Sequence, residues 1–149
     1  MMVAKGIGGG FPLGVVLATE TAASGMVAGT HGSTYGGNPL ACAVGLAVLN
    51  EIADPAFLED VRRKSGLLRQ KLEGLVAAHP EVFEEARGTG LMLGLKCKAP
   101  NIDVVNAGYA QNVLTVPAAD NVLRILPPLT LSDDEISEAI NRLDKAASS

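Results

Sequence analysis

At 149 residues the chain has room for one domain of ordinary size, or for a domain with a portion of another. Hydrophobic residues at 48% and charged residues at 19% exclude a disordered chain, and with 3% aromatics and no Trp the core must be Leu, Val, Ile, Ala and Met, as in α/β enzymes. The formal net charge of −4, with no Lys/Arg run and no basic residues alternating with aromatics, excludes the usual footprint of a nucleic-acid binder.

In chain order, Met1 to Ala4 is an apolar run that stops at Lys5 and is expected to be the end of a buried strand. Gly6 to Pro12 is too rich in glycine for the interior of a helix or strand. Leu13 to Thr19 has the β-branched content of a strand, and Thr19 or Glu20 opens a short helix to about Met26. Gly29 to Gly37 is a second loop. Asn38-Pro39 starts a helix, because Asn can cap and Pro sits at the first helical position with φ already set. Leu40 to Ala53 is apolar nearly all round, the pattern of a buried helix.

Asp54-Pro55 punctuates that helix, and Phe57 to Ala78 follows as a longer amphipathic one. Strands are expected at 82–87 and 91–96 around Gly88-Thr89-Gly90, and a short helix at 103–110. Two further strands, 113–116 and 122–126, flank the loop Pro117 to Asn121. Ser132 with Glu135 three residues on is a capping box, and it opens a last helix to about Ala146. The change of character near Asp54 divides the chain into residues 1–54, a remnant of a larger domain, and 55–149, a small α+β domain. The two cysteines, Cys42 and Cys97, form no CxxC motif and suit small apolar packing in a reducing compartment. No secretory signal and no apolar run of ~18 residues is visible, so a cytoplasmic chain without membrane or metal partners is expected.

Several stretches carry chemical potential. Lys is rarely buried without reason. At the end of a buried strand its ammonium form would be disfavoured, and a neutral amine is the nucleophile that forms a Schiff base with a carbonyl. Lys5 is therefore a candidate, against the plainer reading of a surface lysine at a strand end. In His31 to Pro39, the hydroxyls of Ser33 and Thr34, glycine amides and a helix N-terminus converge as they would for a phosphate, or simply as a capped loop. Arg124 stands in an otherwise apolar strand, either binding a carboxylate or facing solvent at an edge. Arg87-Gly88-Thr89-Gly90 reads better as a turn between strands than as an anion site. The glycines at 6–10 match neither the GxGxxG nor the P-loop spacing.

Taken in order, Ala4-Lys5-Gly6-Ile7-Gly8-Gly9-Gly10-Phe11-Pro12, the His31 to Cys42 stretch, Arg87 to Gly94 and Arg124 to Leu129 resemble the class III aminotransferases. The resemblance implies the C-terminal portion of a fold type I transferase: an α/β arrangement with part of a large parallel-sheet domain and a small α+β C-terminal domain. It implies pyridoxal 5'-phosphate as cofactor, bound covalently by Lys5, with Ser33 and Thr34 at its phosphate and Arg124 at the substrate carboxylate. The implied reaction moves an amino group between N-acetylornithine and 2-oxoglutarate or glutamate, in arginine biosynthesis. Ornithine, succinylornithine and 4-aminobutyrate are the alternative donors.

Set against that family, Met1 falls inside a strand, and the cofactor-stacking aromatic, the ring-nitrogen aspartate and the first phosphate loop lie upstream of it. The chain is thus expected to be an incomplete copy, with a catalytically inactive association module as the alternative. Apolar surface near Met1 to Leu17 and on the helix from Pro39 is expected to be exposed, favouring a homodimer or association with a complementary N-terminal portion.

Overall fold

A computed structural model describes all 149 residues. The chain forms two compact units, Met1–Leu58 and Glu59–Ser149.

In the first unit, β1 (Met2–Val3) pairs antiparallel with β2 (Val15–Val16), and the link between them begins with a 3₁₀ turn, Lys5–Gly8. Helix α1 (Glu20–Ala23) is capped by the Thr19 hydroxyl, which accepts from the Ala22 amide at 3.2 Å. Helix α2 (Pro39–Ile52) starts as its sequence requires, with Pro39 in the first turn and Asn38 Oδ1 accepting from the Ala41 amide at 2.9 Å. The residues that follow the 3₁₀ turn, Gly9 to Leu13, pack on α2 through two close approaches. A Cβ on Gly9 would lie 2.8 Å from Val48 Cγ2, and one on Gly45 would lie 2.7 Å from Leu13 Cδ2.

Two expectations fail in this unit. Residues 1–4 are not the end of a buried strand, since Met2 is 85% exposed. Helix α2 is not buried all round either: Ala41 and Gly45 are covered, while Leu40, Leu46 and Leu49 face solvent. The cause is the same in both places. One antiparallel partner and one glycine turn cover a single side of each element, and the remaining apolar side is open. The long strand expected from Leu13 to Thr19 is reduced to Val15–Val16, for want of any neighbour beyond β1.

Helix α3 (Pro55–Ala78) starts at the end of the first unit, its first turn capped by Asp54 Oδ1 accepting from the Ala56 and Phe57 amides, and from Glu59 onward it is the base of the second unit. The hairpin β3 (Phe83–Thr89) and β4 (Met92–Cys97) follows, then α4 (Asn101–Ala110), β5 (Val116–Ala118), β6 (Val122–Ile125) and α5 (Asp133–Ala147). The four strands form one antiparallel sheet in the order β3-β4-β6-β5.

Alternation sorts its faces. Leu93, Leu95, Cys97 and Leu123 are buried against Leu68, Leu72 and Leu75 of α3, Val104 and Val105 of α4, and Ile136 and Leu143 of α5. The opposite face carries Arg87, Gly94 and Arg124, aligned by the pairings Arg87↔Gly94 and Gly94↔Arg124. Helix α3 is fixed to the hairpin by Ser65 Oγ donating to Gly90 O and Arg69 Nη1 donating to Gly88 O, at 2.7 and 3.0 Å. Arg63 donates two bonds to the Asp133 carboxylate, at 2.8 and 2.9 Å. The capping box at Ser132 and Glu135 is formed in both directions.

The strand expected at 113–116 is displaced to Val116–Ala118. Pro117 belongs to the ladder because β5 is an edge strand, where a missing N–H can face away from the sheet. Val113 is instead taken up by the end of α4, its amide donating to Gly108 O at 3.0 Å.

Candidate active site

Lys5, Ser33 and Thr34 lie in the first unit and Arg124 in the second. Lys5 opens the 3₁₀ turn with φ of 58°, in the left-handed region. Three other non-glycine residues have positive φ, and all are Asn or Asp, whose short polar side chains tolerate that region. Lys5 has no such dispensation, and a backbone held there costs about 1–3 kcal/mol. The result is an exposed amine raised on a turn, with no hydrogen bond or ion pair to the rest of the chain. Lys5 is therefore exposed where the strand pattern had placed it in a buried setting. What distinguishes it is backbone conformation.

Ser33 lines a recess of about 260 Å³ with Pro12, Gly14, Gly37 and Asn38. Thr34 is exposed beside it on the loop. Neither hydroxyl is engaged within the chain. The helix start contributes less to an anion than its sequence suggested. Pro39 has no amide proton, the Ala41 amide is held by the Asn38 side chain, and the Cys42 amide donates to Asn38 O. The Leu40 amide is left, together with the two hydroxyls and the loop glycines. These groups match two demands of pyridoxal phosphate: a primary amine free to engage a carbonyl, and hydroxyl and amide donors for a phosphate.

Arg124 sits on an inner strand, not at an edge, with its side chain exposed on the outer face of the sheet. It makes no ion pair and lines a basin of about 300 Å³ with Arg87, Gly94, Met92 and Val122. Arg87, which the sequence read as part of a turn, is an ion-pair member as well, with Nη2 on the Asp120 carboxylate. Asp120 Oδ1 also accepts from Lys96 Nζ at 2.7 Å. Lys96 first, then Arg87, hold the Asp120 carboxyl down at about 2, and the pairing raises Arg87 in turn.

Asp120 and Lys96 were missed by sequence reading. The available signal was the Asp120-Asn121 pair between two strands, a composition suited to a turn with positive φ, which both residues adopt. Cys97 is buried, which pushes its thiol up, and Cys42 is exposed, so no disulfide links them. No group of His, Cys, Asp and Glu is arranged to hold a metal ion, and no single helix is long and apolar enough to cross a membrane.

A family profile described as aminotransferase class-III matches residues 1–147. The chain is 70% identical, over all 149 of its residues, to an acetylornithine aminotransferase of Rhodobacter capsulatus, and spans 38% of that protein's length. Among solved structures it resembles the acetylornithine aminotransferase of Elizabethkingia anophelis, with a TM-score of 0.87 and 27% identity over 99% of this chain and 40% of that one. It also resembles the ornithine aminotransferase of Toxoplasma gondii, whose active site is partly occupied by PLP, with a TM-score of 0.86 and 29% identity over 98% of this chain and 36% of that one. The mixed α/β architecture implied by the sequence motifs is the one these structures share.

Proposed function

Because this chain belongs to the class-III aminotransferase family, we propose that its residues serve the transfer of an amino group between N-acetylornithine and 2-oxoglutarate, with pyridoxal phosphate as cofactor. The observation that carries this reading is the unbroken likeness, over the full chain, to an acetylornithine aminotransferase. Bound pyridoxal phosphate supplies a carbonyl carbon for an amine and an electron sink for the carbon that loses a proton.

The roles of the chain's own groups follow from their chemistry. Lys5 holds the cofactor through its amine and, when released from it, accepts and returns a proton at Nζ. Its raised, left-handed position leaves the amine free of competing partners within the chain. Ser33 and Thr34 donate to the phosphate through their hydroxyls. Arg124 receives a substrate carboxylate in a bidentate pair, for which its unengaged guanidinium is suited. Residues 1–54 then act as the cofactor-bearing portion and 55–149 as the small domain that supplies the carboxylate contact, in the cytoplasm.

Incubating the purified, cofactor-loaded chain with N-acetylornithine, ornithine, succinylornithine or 4-aminobutyrate tests this reading, with the keto product read by mass spectrometry. Product is expected from N-acetylornithine above the others, and none from Lys5→Ala. Equal turnover by Lys5→Ala, or no product from any donor, contradicts it.

A second reading, association with a second copy as a homodimer or with a complementary polypeptide, draws on a specific feature of the first unit. An apolar groove of about 480 Å³ runs between Val3, Leu13, Val15, Gly45, Leu46 and Leu49. Light scattering is expected to give a mass above 15.3 kDa, and a monodisperse monomer would count against association.

A further inference from the structure

The outer face of the four-stranded sheet holds three cations and treats them differently. Arg87, Gly94 and Arg124 lie in register on β3, β4 and β6, so the two arginine Cα atoms are two strand spacings, roughly 9–10 Å, apart. Gly94 puts no side chain between them, and both line the same basin. Two arginines on either side of a floor formed by Gly94 and the Val122 side chain are a natural seat for a ligand with two carboxylates. Yet only Arg124 is free. Arg87 is on Asp120 through Nη2, with Glu85 3.7 Å from its Nη1, and Lys96 Nζ is bound to the same Asp120 at Oδ1 and at the main-chain O, at 2.7 and 2.6 Å.

The backbone indicates that the carboxylate at 120 is there for a reason. Asp120 and Asn121 are both left-handed, at φ of 59° and 52°, a turn that glycine makes with less strain. Asn121 has a structural use for its side chain, donating to Cys97 O and Ala99 O at 2.7 and 2.8 Å and accepting from the Asn101 amide. Asp120 has no such set. Its carboxylate serves Arg87 and Lys96 alone.

We propose that Asp120 determines specificity on this face: by engaging Arg87 and Lys96 it leaves Arg124 as the single unengaged cation, so that the basin seats one carboxylate and declines a second. The proposal rests on the reading of Arg124 as a carboxylate receptor. Removing the carboxylate takes from Arg87 its closer partner, leaving only the longer Glu85 contact at 3.7 Å to compete with a ligand in the basin, whereas Lys96 stays tethered in part by the main-chain O of residue 120.

The test uses the full chain with labelled arginine, following the side-chain Nε–H signals by NMR during titration with glutarate, a dicarboxylate, and butyrate, a monocarboxylate. In the unaltered chain both acids are expected to shift Arg124, with similar affinity, and to leave Arg87 still. In Asp120→Asn, glutarate is expected to shift both arginines and to bind roughly threefold more tightly than butyrate, the scale of one exposed ion pair. Asp120→Gly, which relaxes the turn, is expected to behave alike; it separates loss of charge from loss of fold, and thermal melts confirm that each variant is folded. If Arg124 responds throughout while Arg87 stays silent in both variants, or if glutarate already moves Arg87 in the unaltered chain, the proposal is overturned and the reading of Arg124 stands. If neither acid moves Arg124 in the unaltered chain, the reading of Arg124 fails and the proposal fails with it.

Discussion

Gly88 and Gly6 are both glycines beside a candidate group, and the backbone treats them in opposite ways. Gly88 has φ of 121°, and a Cβ there would stand 2.2 Å from Met92 O, inside the hairpin's own backbone. Gly88→Ala is expected to destabilise the second unit by ~2–3 kcal/mol, since neither the strand nor a flexible side chain can give way. Gly6 meets nothing within 4 Å, and Gly6→Ala is expected to be near neutral in the same urea titration. Thr115 supplies the converse case. Its hydroxyl is buried without a partner, so Thr115→Val is expected to hold stability or raise it by up to ~1 kcal/mol. The sequence motif Arg87-Gly88-Thr89-Gly90 made the turn legible. It did not reveal that Arg87 is committed to Asp120, because the partner lies 33 positions away and only strand pairing brings them together.

Among the elements, the helix ends were the most legible, because caps are local chemistry. Asn38, Thr19 and the Ser132–Glu135 box all cap where their residue types indicate. Short strands were the least legible: β5 is set by pairing with β6, a tertiary fact, and its Pro117 read as a loop residue. Ser132→Ala is expected to cost about 1 kcal/mol in a thermal melt.

The carboxylates at these element ends also set an acid limit. Asp120 is held down by Lys96 and Arg87, Asp133 by Arg63, and Glu135 by the Ser132 amide and hydroxyl. A carboxyl whose folded value is depressed adds stability above its unfolded value and loses it as pH falls through the folded one. The second unit is thus expected to lose stability between pH 4 and about 2, the window from the ordinary Asp value of 3.8 to that of Asp120. Asp120→Asn is expected to flatten the lower part of that loss in acid denaturation followed by circular dichroism.

At the scale of the molecule the two units differ in how much they bury. The core cluster lies wholly in the second unit, from Leu68 to Leu143, with Leu72, Leu95, Leu123 and Ile136 completely covered. In the first unit only Gly8, Ala41 and Gly45 are buried. Hydrogen exchange is accordingly expected to protect Leu95 and Leu123 amides strongly and those of residues 1–37 little, the first unit opening at low cost. Leu95→Ala is expected to cost ~2–5 kcal/mol, as deletion of a covered leucine does.

Composition and periodicity made the α/β class and the second unit's helices readable, since both follow from pattern. They overstated burial in the first unit, because an apolar run specifies a surface that seeks cover without specifying what covers it. The choice of Lys5 as the candidate cofactor residue came from motif likeness. Its left-handed backbone was invisible in the sequence, because a lysine is not a residue type that signals positive φ.

The central claim, that Lys5 carries the cofactor, is tested most directly by adding pyridoxal phosphate to the chain, reducing with borohydride and mapping the peptides by mass. A reduced adduct confined to Lys5 is the expected result. An adduct absent, or scattered over surface lysines such as Lys71 and Lys145 with Lys5 unlabelled, would contradict it.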